Sequence, residues 1–178
     1  MAQAKRVLVS ELPHLIGDTV TLEGWVHNRR RLGGISFLIL RDRSGAAQIV
    51  FEKTELPLAE SSVRVVGRVV ASARAPGGVE LQGERLEVVN AALEPSPIEL
   101  PKEDWQTNPE TLLEYRHISL RGLRAGATMR VQAELVRAFR DHLNREGFTE
   151  IFTPKLVAAG AEGGANLFEV DYYGRRAY

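Results

Sequence analysis

The stretch from Trp25 to Gly45, WVHNRRRLGGISFLILRDRSG, decides how the N-terminal half of the chain is read. Arg29, Arg30 and Arg31 stand in a row at a strand end and turn. The pair Gly33–Gly34 marks the turn itself. The run ISFLILRD that follows is rich in isoleucine and leucine with one phenylalanine, Phe37, and a second turn, RSG, closes it. Apolar runs punctuated by glycine are the signature of short strands joined by tight turns.

Working outward, runs of the same kind recur on both sides. They are RVLVSEL, TVTLEGWVH, AAQIVFE, SVRVVGRVVASA and VELQGERLEVV, separated by IGD, RSG and APGG. Several short strands at this spacing predict an all-β domain over residues 1–93, a small barrel or sandwich. Residues 94–118 change character, with Pro95, Pro97, Pro101 and Pro109 in a polar run. Proline fixes φ and removes a donor, so this segment is expected to be a linker or hinge.

Residues 119–178 open a second domain. Val131, Leu135, Phe139 and Leu143, with Val136 alongside, form an apolar stripe at helical spacing. Gly147 is placed to end that helix in the left-handed region. FTEIFTP then reads as a strand stopped by Pro154. A small-residue loop, AAGAEGGANLF, carries Glu162, and EVDYYGRRAY reads as a hairpin. The chain stops soon after with no capping element, which suggests a piece of a longer protein.

Composition limits the function classes. With 178 residues, 44% hydrophobic and 26% charged, the chain is long enough to bury a core. Its 23 basic and 23 acidic residues balance, so no global basic excess marks a nucleic-acid binder, and only a local patch remains open. There is no cysteine, and the four histidines show no metal-ligand spacing, so no metal site is expected. No apolar run suits a signal peptide or membrane span, so a cytoplasmic setting without a membrane partner is expected. No GxxxxGK[ST] motif is present, which removes the P-loop NTPases.

The chemistry lies in the first half. A five-stranded Greek-key barrel binds nucleic acid on its open face. Such a face needs cations for phosphates, an aromatic plane for a base and polar groups for a base edge. Arg30, Phe37, Gln48 and Glu80 supply these types on adjacent strands. Each also has a plain structural reading: Phe37 as core, the arginines as a solvated turn, Gln48 and Glu80 as edge and surface residues. One function class is therefore a stand-alone barrel that binds single-stranded nucleic acid without catalysis.

Four patches carry a resemblance over nearly the whole chain. GWVHNRRRLGGISFLILRDRSGAAQIV resembles the anticodon-binding barrel of class II aminoacyl-tRNA synthetases of the aspartyl type, archaeal-like. LLEYRHISLR resembles the segment entering their catalytic domain. REGFTEIFTPKLV resembles class II motif one, and AEGGANLF the glycine-pair loop of aspartyl enzymes. Asparaginyl and lysyl relatives carry other patterns at that loop. The resemblance implies an α+β chain: a five-stranded OB-fold barrel, a hinge, then the start of an antiparallel-sheet catalytic domain.

It also implies an ATP-dependent ligase that attaches aspartate to tRNA(Asp) through aspartyl-adenylate, with ATP and Mg2+ held mainly by parts outside this chain. Phe37 would stack on the central anticodon base, with Arg30, Gln48 and Glu80 contacting the anticodon. Glu162 would receive the substrate ammonium, and Pro154 would sit at a homodimer interface. His27 and Pro76 match the non-discriminating type, which also charges tRNA(Asn) for later amidation by an amidotransferase. The strict type tends to have Trp and Lys at those two positions. Arg31 departs from the family, which often has an acid there. Motifs two and three are missing from the sequence, so no catalytic residue is expected within it, and the 178-residue chain alone is expected to be inactive.

Overall fold

The computed structural model describes residues 4–102, 105–157 and 168–178. It divides into two units, Met1–Ala127 and Thr128–Tyr178. In the first, β1 (Thr19–Leu32), β2 (Ile35–Arg41), β3 (Ala46–Glu52), β4 (Ser62–Ala71) and β5 (Val79–Asn90) close into a barrel in the order β1-β2-β3-β5-β4. The β3–β5 pair is parallel and the others are antiparallel.

The barrel closes because β1 serves two partners. Residues Thr19–Trp25 pair with β4, and Trp25–Leu32 pair with β2. A register shift between Val26 and Asn28 leaves His27 as an extra residue. Such a bulge bends a strand and raises its twist. The β1–β2 turn is only Gly33–Gly34, and Gly33 takes the positive φ of 59° that a two-residue hairpin requires. The basic run therefore lies within β1 rather than in the turn.

Alternation fills the interior. Leu22, Val26, Leu38, Leu40, Ile49, Val63, Val65, Val69 and Leu81 are fully buried, and Phe51 nearly so. Removing such side chains from water contributes about 1.5–3 kcal/mol each. Ser36 points inward with them, its hydroxyl donating to the Thr54 carbonyl at 2.6 Å. That phase sends Ile35, Phe37 and Ile39 outward.

The first apolar run is not a strand. In RVLVSEL only Arg6 bridges to Thr21, and Val9–His14 forms a 3-10 helix that buries Leu12. The Glu11 carboxylate accepts from the Leu8 N–H at 2.6 Å, and Pro13 removes a donor that a strand would need. The expected hinge at 94–118 contains α1 (Pro109–Glu114), capped by Asn108, and α2 (Arg116–Ser119). Ile98 and Leu100 in it are buried.

The expected amphipathic helix is α3 (Leu123–Arg145). Gly147 ends it at φ 84°, with the Phe148 N–H donating to the Leu143 carbonyl. FTEIFTP forms no strand; the nearest pairing is Val157 with Tyr178, through two mutual backbone hydrogen bonds. The expected hairpin is present as β6 (Val170–Tyr172) and β7 (Arg175–Ala177). Among the described residues no helix is long and apolar enough to cross a membrane.

Candidate nucleic-acid interface

The outer face of the barrel carries two transverse rows. The register sets Asn28 beside Ile39, Ile39 beside Gln48, and Gln48 beside Glu80. The next row runs Arg30, Phe37, Val50, Gln82. A groove of about 310 Å³ lies over them, lined by Asn28, Arg29, Arg30, Phe37, Ile39, Gln48, Arg74 and Pro76.

Phe37 is half-buried on this face, and the Arg30 guanidinium lies 4.6 Å from its ring centroid. A cation there is attracted by the ring quadrupole. Gln48 is almost buried, and its Nε2 donates to Glu80 Oε2 at 2.8 Å. A carboxylate can only accept, so the pair fixes the amide, and the Gln48 carbonyl is left as an acceptor. Of the predicted residues, Arg30, Phe37, Gln48, Glu80 and Pro76 thus come together. Asn28, Ile39 and Arg74 join them unforeseen. Ile39 was accessible from the two-residue period once Phe37 faced outward, whereas Asn28 depends on the bulge.

His27 goes elsewhere. Its ring lines the adjoining pockets on the side of Leu100–Lys102 rather than the Phe37 groove. Nδ1 lies 2.9 Å from an Arg41 nitrogen, and Arg41 pairs with Glu60 at 3.0 Å. Arg121 pairs with the same carboxylate and lies over Trp25. Burial lowers the His27 pKa below its ordinary value, and the Arg41 cation adds to this while Glu60 opposes it. Pro154 is exposed, and Glu162 lies outside the described residues. Among the described residues no group of His, Asp and Glu could hold a metal ion.

Two family models match this chain. Residues 20–89, spanning the barrel strands, match an OB-fold nucleic acid binding domain. Residues 108–177 match the class II tRNA synthetases of the D, K and N group. Over that segment the chain is similar to the class II tRNA synthetases of this group.

Among the chain's relatives is an Aspartate--tRNA(Asp/Asn) ligase of Deinococcus radiodurans, 59% identical over 174 residues, 98% of this chain and 40% of the relative. An Asparagine--tRNA ligase of Pyrococcus furiosus is 40% identical over 185 residues, 98% of this chain and 42% of the relative. The solved asparaginyl-tRNA synthetase of Pyrococcus horikoshii with asparaginyl-adenylate superposes with a TM-score of 0.83 at 40% identity, over 100% of this chain and 42% of that one. The chain thus spans about 40% of the length of the curated relatives it matches.

Proposed function

We propose that this chain is the anticodon-reading part, with the opening of the catalytic domain, of an enzyme that attaches aspartate to tRNA(Asp) and also to tRNA(Asn). The carrying observation is the two adjacent outward rows that set Phe37 under Arg30 and next to the row of the Gln48–Glu80 pair. A base unstacked from the anticodon loop lies against Phe37. The fixed Gln48 carbonyl accepts the N3–H of uracil, which cytosine lacks. Arg29, Arg30 and Arg74 meet the flanking phosphates, and such contacts weaken as salt rises. Pro76 lies where the neighbouring base is met, offering no charge or donor from its side chain to separate cytosine from uracil.

The choice of aspartate rests on the 59% identity to a relative named for aspartate, against 40% for one named for asparagine. Glu162 is assigned to the substrate ammonium and Pro154 to a homodimer interface. Aspartyl-adenylate forms by attack of the aspartate carboxylate on the ATP α-phosphate, and a terminal ribose hydroxyl of the tRNA then takes the aspartyl group. ATP and Mg2+ are held mainly by parts of the enzyme outside this chain. Aspartyl-tRNA(Asn) would pass to a tRNA-dependent amidotransferase. A stand-alone single-strand binder is not favoured, because it has no use for the segment at 108–177.

Binding of the chain to anticodon stem-loops in fixed salt tests this reading. Loops with the aspartate and asparagine anticodons are expected to bind alike, and a loop with its central uracil replaced at least about tenfold more weakly. Equal binding of all three would overturn anticodon reading by this face.

A further inference from the structure

The bulge residue His27 is held by more than packing. Arg41 reaches it from β2, and an arginine has no acceptor and does not lose its proton. The 2.9 Å contact is therefore a hydrogen bond only if His27 Nδ1 is the acceptor. The ring proton then sits on Nε2. Glu60 fixes Arg41 in turn: its carboxylate accepts from Arg41 through both oxygens, at 3.0 and 3.1 Å, and also from Arg121. Glu60 itself takes a positive φ of 66°, and its N–H donates to the Val26 carbonyl at 2.7 Å, one residue before the bulge.

Among the described residues Nε2 has no hydrogen-bond partner. Among the described residues no buried side-chain nitrogen or oxygen lacks one, so Nε2 is open to solvent on the side where His27 lines two pockets. One of these, about 640 Å³, shares Asn28 and Arg29 with the Phe37 groove. The charged groups facing His27 are Arg41 and Glu60 from the barrel, Arg29 beside it on β1, and Glu99, Lys102 and Arg124 from the segments packed on that side.

We propose that Arg41 is a positioning residue for RNA binding: it locks His27 as the neutral Nε2–H tautomer, a single donor aimed at an oxygen acceptor of the RNA beside the Phe37 groove. The inference rests on the reading that the barrel binds RNA. The acceptor is a phosphate, ribose or base carbonyl oxygen. A donor of this kind suits cytosine and uracil equally, because both carry the O2 carbonyl.

The test joins nitrogen-resolved NMR of the His27 ring with binding of the full chain to an aspartate-anticodon stem-loop. Expected at neutral pH are a neutral Nε2–H ring, and loss of that single tautomer in Arg41→Met with about fivefold weaker binding. His27→Gln places an amide N–H where Nε2–H stood and needs no tautomer control. In that background Arg41→Met is expected to change binding less than about twofold. A native Nδ1–H ring, or an equal loss from Arg41→Met in both backgrounds, overturns the proposal. Should Arg41→Met not fold, the native tautomer decides with His27→Leu, expected to bind about fivefold more weakly than His27→Gln; equal binding of the two overturns it. Phe37→Ala separates the two readings. Weaker binding there with native binding by Arg41→Met sinks this inference alone, whereas no loss from Phe37→Ala sinks RNA binding by the barrel face.

Discussion

Ser36 and Phe37 are neighbours on β2 with opposite fates. The serine is buried and bonded to the Thr54 carbonyl, while the phenylalanine meets solvent and the Arg30 cation. Phe37→Ala should therefore cost about 1 kcal/mol or less of stability, read by urea unfolding. It should cost stem-loop affinity about tenfold, since a stacked base contributes ~1–3 kcal/mol. His27 makes a second prediction. Its unfolded pKa is near 6.5 and its folded one lower, so its contribution is present in full above that value. Stability is lost as pH falls below 6.5 toward the folded pKa, and His27→Gln should flatten this part of the pH dependence in unfolding measured between pH 7.5 and 5.5. The residue scale is also where the sequence was least legible. A run apolar on both faces does not reveal which phase points inward, and the one polar residue in ISFLIL, which hydropathy sends outward, is the buried one. The bulge that turns His27 away from the Pro76 groove leaves no mark in composition.

The strands themselves were legible, because each apolar run ends at a glycine or a charged turn. Two runs fail as strands: FTEIFTP stays irregular, and RVLVSEL is turned by a local hydrogen bond from the Leu8 N–H to the Glu11 carboxylate and by the proline after it. What runs of hydrophobicity do not convey is how closely strands approach. A Cβ on Gly67 would lie 2.3 Å from the Gln82 carbonyl oxygen on β5, and backbone cannot step aside as a side chain can. Gly67→Ala is expected to destabilise the barrel by about 1–3 kcal/mol, seen as a lower urea midpoint with unchanged slope. The helix stripe was read correctly as amphipathic, yet Val131, Leu135 and Phe139 are exposed in this chain. Periodicity reports which face is apolar and is silent on what covers it.

Over the whole molecule, burial is unevenly shared. The core cluster lies entirely in the first unit, and among the described residues of the second only Ala177 is buried. Hydrogen exchange should follow that division. Amides of β1–β5 are expected to exchange only with global unfolding, while those of α3 beyond Thr128 exchange orders of magnitude faster by local opening. Equal protection in both units would contradict the partition. The pairing that completes the barrel is parallel, Gln48 with Glu80, 32 positions apart, and every barrel strand precedes Ala91. Synthesis runs from the N-terminus at about 5–20 residues per second, and non-local β pairings of this kind form in about milliseconds to seconds. The barrel can therefore close on the ribosome while later residues are still being added. A nascent chain would then display the Phe37 face, the surface proposed to read RNA, before the second unit has been translated.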